Sequence, residues 1–216
     1  MTPRRILPVA ALVAAILIPA ATADAKAPSC TRGGAKLEQA DGDIRIVSRV
    51  LKKTSKFQTR KEGISACWVP TGKRIRIATE IDHGEDLLTS TSISILEGRY
   101  VGVNILYLGG ISERTRALVF DAKKQAKLHD TKICEPDTDD HTGPEDVEFL
   151  QKGGMVFVCG ALWMFRDAAQ KTPTMLEPAS ALPVALAVSR RSMSYVDVIY
   201  WTTLDDGTAK SLSLVE

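Results

Sequence analysis

The stretch TSISILEGRYVGVNILYLG, residues 91–109, decides the fold class. Residues 91–95 alternate polar and apolar side chains, which is typical of a half-buried strand. Residues 100–107 form a longer run of β-branched and aromatic residues, which also favours a strand. Glu97-Gly98 between the two runs is a turn signal. The stretch therefore predicts two β-strands joined by a tight turn.

The same strand signals recur along the chain and are separated by glycine-containing turns. They cover residues 74–78, 117–120, 155–158, 161–165 and 196–201. The segment 121–128 has some helical propensity, but it is too short to form a stable helix alone. The sequence therefore predicts an all-β protein.

Strands and turns also follow an approximate repeat. Core strands that start at Tyr100, Met155 and Tyr195 are 55 and 40 residues apart, and each follows a short strand and a turn. Units of about 40–50 residues with four short strands are typical of propeller blades. About four such antiparallel units fit the chain length, which predicts a propeller-like array. The same strand spacing permits a β-sandwich or barrel, which is the alternative.

The first 25 residues have the pattern of a secretory signal peptide. Two arginines precede an apolar stretch over residues 7–21, and Ala23-Asp24-Ala25 fits a small-x-small cleavage site. The apolar stretch is too short for a comfortable membrane span. We therefore predict that residues 1–25 are removed. Residues 26–216 are then expected to form a single secreted or periplasmic β domain with no stable membrane span.

Four cysteines lie in the predicted mature domain: Cys30, Cys67, Cys134 and Cys159. An even number in an exported protein indicates disulfide bonds, because the compartment is oxidising. Three pairings are possible. We favour Cys30–Cys67 with Cys134–Cys159, since sequence-local pairs can each lie on neighbouring strands. The cysteines lack the C-x-x-C spacing of a zinc site.

Charge limits the classes of partner. Without the first 25 residues, 26 basic and 25 acidic side chains remain, a net charge of +1. This balance argues against nucleic acid as a partner. Basic residues concentrate between residues 45 and 76, where they are mixed with apolar residues. We interpret them as the solvated faces of strands, and the alternative is a patch that binds a polyanion.

Residues 134–149, CEPDTDDHTGPEDVEF, hold seven carboxylates and one histidine. Calcium prefers oxygen ligands at spacings that several of these carboxylates share with an EF-hand loop. The candidate calcium ligands are Asp137, Asp139, Glu145 and Asp146. The other interpretation is a solvated polar loop, in which aspartate and glycine serve turn geometry.

Few residues suggest catalysis. His83 and His129 each lie beside an aspartate and could form half of an acid–base pair. The sequence has no Gly-x-Ser-x-Gly elbow and no glycine-rich phosphate loop before a helix. Trp68, Trp163 and Trp201 are interpreted as packing residues. We predict no catalytic residue, and no cofactor apart from the calcium considered above.

Several short motifs occur in order along the mature chain: Ser29-Cys30-Thr31-Arg32-Gly33, Ala66-Cys67, Gly98-Arg99-Tyr100-Val101, Val119-Phe120-Asp121, Asp146-Val147-Glu148-Phe149-Leu150, and Trp201 with Ala209-Lys210-Ser211-Leu212. In this order the chain resembles a group of exported bacterial proteins with a TolB-like, propeller-like β architecture. The resemblance implies a fold and an exported location, and it implies no activity.

A second resemblance is narrower. Residues 143–160, GPEDVEFLQKGGMVFVCG, are similar to the first blade of calcium-dependent arylesterases and lactonases of the paraoxonase type. There a Gly-x-Glu-Asp step directs two carboxylates toward a central calcium. The similarity implies that Glu145 and Asp146 are calcium ligands.

The function predicted from these observations is an exported, non-enzymatic binding or interaction module. Its partner is expected to be an extracytoplasmic protein or a glycan. One alternative is a calcium-dependent hydrolase related to the esterases and lactonases. Another is a periplasmic inhibitor or immunity protein, a role that a small disulfide-braced β domain can serve.

Overall fold

The protein is described by a computed structural model over residues 30–54, 59–82, 87–109, 112–134, 141–191 and 196–214. These ranges contain sixteen strands, two short 3-10 turns (Lys132–Cys134 and Ala179–Ala181) and no α-helix. The strands are β1 Lys36–Asp41, β2 Ile44–Thr54, β3 Thr59–Trp68, β4 Lys73–Asp82, β5 Leu87–Leu96, β6 Tyr100–Gly109, β7 Ser112–Asp121, β8 Ala126–Asp130, β9 His141–Thr142, β10 Asp146–Phe149, β11 Met155–Cys159, β12 Ala161–Phe165, β13 Thr174–Glu177, β14 Pro183–Arg191, β15 Val196–Thr203 and β16 Ala209–Leu214.

Three sheets contain these strands. The first has nine strands, with β1 to β8 in sequence order and β9 paired in parallel with β7. The second contains β10 to β13 and the third β14 to β16, and both are antiparallel throughout. The all-β class is therefore confirmed. A nine-stranded sheet fits the sandwich or barrel alternative better than an array of four separate propeller-like units.

The hairpin expected over residues 91–109 is present as β5 and β6. Their pairing runs from Leu87↔Gly109 to Leu96↔Tyr100 without a register shift. The two turn residues, Glu97 and Gly98, have φ angles of 46° and 59°. Positive φ at both central residues gives a turn whose twist matches that of the flanking strands.

The nine-stranded sheet curls back on itself. Its core joins residues of β2 to β4 with residues of β6 and β7, among them Ile46, Ile64, Ile77, Val103 and Phe120. In a flat sheet β2 and β7 would lie roughly 24 Å apart, because neighbouring strands are about 4.8 Å apart. The described pairing between β4 and β5 is Asp82↔Leu88. The sheet therefore bends between β4 and β5, so that its two halves face each other.

Two further cores connect the remaining sheets. Val119 packs with Phe149 and Phe157, which joins the β5–β8 half to the second sheet. On the other side of the second sheet, a core that includes Leu162 and Ile199 joins it to the third sheet. A β-carbon at Gly102 in β6 would overlap the Phe149 ring, so glycine permits this close approach of the layers. The fold is thus a stack of antiparallel layers.

Two disulfide bonds brace the stack, and their pairing is the one we favoured. Cys30 is bonded to Cys67 and Cys134 to Cys159, with Cα–Cα distances of 5.8 and 5.6 Å. Such bonds are typical of an oxidising, extracytoplasmic environment. Among the described residues, no helix is long and apolar enough to cross a membrane. The predicted signal peptide, residues 1–25, lies outside the described ranges.

Candidate anion-binding face

Four arginines lie on the outer face of strands β2 and β4. Side chains alternate along a strand, and residues paired across strands share a face. Ile44 and Ile46 of β2 point into the core, so Arg45 and Arg49 point outward. Arg45 and Arg74 both pair with Cys67 of β3. We call Arg45, Arg49, Arg74 and Arg76 the arginine face.

Glycine brings two of these arginines together. A β-carbon at Gly63 in β3 would overlap the Arg76 guanidinium, so Arg76 lies directly over the β3 backbone. Arg49 is the register partner of the same Gly63. Since directly paired β-carbon positions are about 5 Å apart, the Arg49 side chain begins beside the Arg76 guanidinium.

Backbone carbonyls position the other two arginines. Arg74 Nη2 donates to the carbonyl oxygen of Arg32 at 2.9 Å. Arg45 Nη1 donates to the carbonyl oxygens of Gly42 and Ile44, each at 2.8 Å. Each guanidinium has further N–H groups available, because arginine carries five donors.

The arginine face has no carboxylate partner within the described residues, where the ion pairs involve other side chains. By contrast, Arg99, Arg116 and Arg190 each lie beside an aspartate or glutamate. Residues 30–82 carry 12 basic and 6 acidic side chains, whereas residues 141–214 carry 6 and 8. Like charges on one sheet face repel, so a bound anion would reduce the repulsion between these arginines.

A disulfide lies on the same face as the arginines. Cys67 pairs with Arg45 on one side and Arg74 on the other. Its bond to Cys30 forms a small buried cluster with Val47. The arginines therefore project from strands over a covalently braced base, and a braced support of this kind preorganises binding groups.

The predicted calcium ligands are not brought together in the described structure. Asp137 and Asp139 lie outside the described residues. Glu145 is exposed, and its backbone N–H donates to the Val158 carbonyl oxygen at 2.9 Å. Asp146 is half-buried at the start of β10. Within the described ranges, no three His, Cys, Asp or Glu side chains lie close enough to hold a metal ion. Calcium binding by this loop stays a prediction.

The end of the same loop contacts the third sheet. Glu148 Oε2 is 3.6 Å from Arg190 Nη2. Burial raises the pKa of Glu148, Arg190 opposes that shift, and Asp146 adds to it. Burial also raises the pKa of Asp197, although its Oδ2 accepts the Gln151 backbone N–H at 2.8 Å. This cluster links two sheets with an arginine between carboxylates.

His129 is a buried core residue. It is 3% exposed, its ring stacks on Phe165 at 4.3 Å, and Nε2 lies 2.9 Å from the Asp167 carbonyl oxygen. The neighbouring Asp130 instead binds Arg116 and Lys127. His129 and Asp130 are adjacent in sequence, but their side chains therefore do not form an acid–base pair. His83 lies outside the described residues.

Acid should weaken the packing around His129. Burial lowers the pKa of His129 from its ordinary 6.5, and the carbonyl groups of Asp167 and Gly153 partly oppose this shift. A lowered pKa means that the folded state binds fewer protons than the unfolded state, so the contribution is complete above about pH 6.5 and is lost as the pH falls. His129→Phe keeps the ring stack but cannot titrate. We expect urea unfolding between about pH 7 and about pH 5 to show a shallower loss of stability in this variant. Parallel slopes in the two proteins would contradict this account.

Comparisons with known proteins assign no family. No protein-family model matches the chain, and no curated protein has a similar sequence. The arginine face is therefore assessed on its geometry and charge.

Some residues of the motifs that carry the TolB-like resemblance contact each other or pack between layers. Arg99 Nη2 lies 2.7 Å from Asp121 Oδ2, although 22 residues separate them. Phe149 of another motif packs on Gly102 between the layers. The Arg99–Asp121 pair thus braces the first sheet and Phe149 joins it to the second, whereas the motif cysteines Cys30 and Cys67 lie on the same face as the arginines.

Proposed function

We propose that this protein is an exported, non-enzymatic binding module whose arginine face holds a linear acidic glycan. The observation that carries the proposal is the set of four outward arginines with no carboxylate partner within the described residues. Guanidinium groups are planar forks of donors that match carboxylate, sulfate and phosphate oxygens. The chemistry of the face therefore suits a ligand with repeated anionic groups.

The spacing of the arginines supports an extended ligand. Arg45 and Arg49 are four residues apart on β2, which corresponds to about 13 Å. Arg45 and Arg74 lie two strands apart through Cys67, which corresponds to about 10 Å. A small anion would contact one or two of these groups. A linear glycan with an acidic group on each repeat can contact several of them.

The expected location supports the same partner class. The signal-peptide pattern of residues 1–25 and the two disulfides favour a secreted or periplasmic protein. Acidic polysaccharides are components of that compartment's surfaces.

Binding to a uronate polymer and to a sulfated glycan tests the proposal. We expect Arg49→Gln/Arg76→Gln to lose about tenfold or more in affinity, because each arginine offers charge-assisted hydrogen bonds. Lys123→Gln/Lys171→Gln is the matched control, since it removes the same charge from exposed positions on other elements. Titration calorimetry at low and moderate salt gives both affinities, and binding should weaken as salt rises.

Three results would contradict the proposal. Equal losses in the two double variants would mean that net charge, and not the arginine face, governs binding. Absence of glycan binding at low salt would exclude this ligand class. Binding to an acidic protein that depends on Arg49 and Arg76 would assign the face to a protein partner instead.

A further inference from the structure

Edge strands expose unpaired N–H and C=O groups, and proteins usually protect them against pairing with another chain. Bulges, prolines and charged side chains are the common forms of protection. The described sheets end in β1, β8, β10, β13, β14 and β16, while β9 pairs with β7 alone and β4 and β5 are paired at Asp82↔Leu88. Among the six terminal strands, β16 has the least of this protection.

Five of these strands carry recognised protection. β1 has a register shift and alternating charges, and β8 has a register shift within five residues. β10 has two carboxylates among four residues. β13 has a register shift and is flanked by Pro173 and Pro178. β14 begins with Pro183, has a register shift and ends in Arg190-Arg191.

β16 carries none of these features. It pairs with β15 over six consecutive residues, from Asp197↔Leu214 to Thr202↔Ala209, with no register shift. Its sequence AKSLSL contains no proline. Its one charged residue, Lys210, is bound to Glu177 Oε1 at 2.8 Å. The β16 edge is therefore regular and electrically neutral.

The sheet behind this edge is also incomplete. The third sheet has three strands, whereas the second sheet, on which it packs, has four. Leu212 and Leu214 point toward the shared core but are only half-buried. On the other face, Ala209, Ser211 and Ser213 are exposed. A fourth strand at this edge would bury the remaining surface of both leucines.

The strand that fits this edge must place apolar residues on the core face and small residues on the outer face. β16 itself places Leu212 and Leu214 on the core face and Ala209, Ser211 and Ser213 on the outer face, and Lys210, the third residue on the core face, is held by Glu177. If two copies pair antiparallel about a two-fold axis at Leu212, Leu212 meets Leu212 of the second copy. Ser211 then lies opposite Ser213 of the second copy. One pairing of this kind closes both edges at once, which is the property of a symmetric two-fold interface.

We propose that β16 pairs antiparallel with β16 of a second copy and forms a dimer through a continuous six-stranded sheet. The Lys210–Glu177 contact places β13 of the second sheet beside this edge.

Sedimentation velocity over about two decades of protein concentration tests this dimer. We expect the wild-type chain to shift from monomer to dimer. Ser211→Lys/Ser213→Lys should remain monomeric or dissociate at least tenfold more readily, because lysines would then face lysines across the axis. Ala187→Lys/Ser189→Lys is the matched control, since both residues are exposed on the outer face of β14 in the same sheet. This control should dimerise like wild type.

Charge reversal makes the test specific for the register. The variant Ser211→Glu/Ser213→Glu should also be monomeric alone, and mixing it with the lysine variant should restore a dimer. Because these positions are exposed in the folded chain, circular dichroism should match wild type for each variant. A wild-type monomer at every concentration would overturn the proposal. So would a dimer that persists in both the lysine and the glutamate variant.

Discussion

Asp121→Ala is expected to lower the free energy of unfolding by about 3 kcal/mol, because it removes a buried carboxylate that accepts charge-assisted hydrogen bonds from Arg99 and from the backbone. Asp121 is 1% exposed. Its Oδ2 accepts Arg99 Nη2 at 2.7 Å, and its Oδ1 accepts the Lys124 backbone N–H at 2.9 Å. One carboxylate thus holds both the ion pair and the β7–β8 turn. Urea unfolding at neutral pH measures the change.

The pH dependence of the free energy of unfolding gives a second test of Asp121. Burial tends to raise the pKa of Asp121, but Arg99 and the Lys124 amide outweigh it, so the pKa is lowered from its ordinary 3.8. The stability that Asp121 contributes is therefore present above about pH 4 and lost as the pH falls further. Lys36→Ala is the control, since the exposed Lys36–Glu38 pair should contribute less than about 1 kcal/mol. An equally small effect for Asp121→Ala would contradict a structural role for this pair.

Gly143→Ala is expected to lower the free energy of unfolding by about 3 kcal/mol or more. The new β-carbon would collide with the backbone, and the backbone conformation would also be strained. Gly143 has a φ of 121°. A β-carbon there would overlap the carbonyl oxygen of Thr115 in β7. The Thr115 hydroxyl also donates to the Pro144 carbonyl oxygen at 2.7 Å, so the chain is fixed against β7 at this point. Thermal or urea unfolding measures the loss.

Gly160→Ala is the matched control for this glycine. Gly160 also has a positive φ, of 65°, but a β-carbon there would meet no heavy atom within 4 Å. Strain alone should then cost about 1 kcal/mol. If the two substitutions were equally mild, the close approach of residue 143 to β7 would be wrong.

Local patterns predicted seven of the sixteen described strands. Period-two alternation and β-branched runs predicted β4, β5, β6, β7, β11, β12 and β15, and each is present. Glu97-Gly98 was identified as a turn, because glycine and positive φ accompany tight hairpins. The disulfide pairing followed from the short separations of 37 and 25 residues. These features depend on neighbours in sequence, which the sequence displays directly.

The sequence did not predict which strands belong to the same sheet. The repeat of strands and turns suggested separate units, whereas β1 to β8 share one hydrogen-bonded sheet. The difference depends on the junction between β4 and β5, where the described pairing is Asp82↔Leu88. A repeat pattern contains no information about whether the last strand of one unit pairs with the first strand of the next.

The sequence predicted the arginine face only in part. Residues 74–78, which contain Arg74 and Arg76, were predicted as a strand, and the basic run between residues 45 and 76 was interpreted as solvated faces of strands. The proximity of Arg45 and Arg74 depends on register, because both pair with Cys67. The position of Arg76 over Gly63 depends on the absence of a side chain on an adjacent strand. Long-range pairing, and not residue type, therefore defines this site.

The acidic loop shows the same limitation. Its carboxylates suggested calcium, and residues 135–140 lie outside the described ranges. At its described end, Glu148 lies near Arg190, which is 42 residues further along the chain. A partner from another sheet cannot be inferred from carboxylate spacing within one loop.

The most direct test of the arginine face is to follow arginine side-chain Nε–H signals by NMR during titration with an acidic oligosaccharide. The account predicts that signals of Arg45, Arg49, Arg74 and Arg76 shift together and saturate. Signals of Arg99 and Arg116, which are held by Asp121 and Asp130, should stay in place. Saturable shifts confined to other arginines, or no shifts at low salt, would contradict the proposed function.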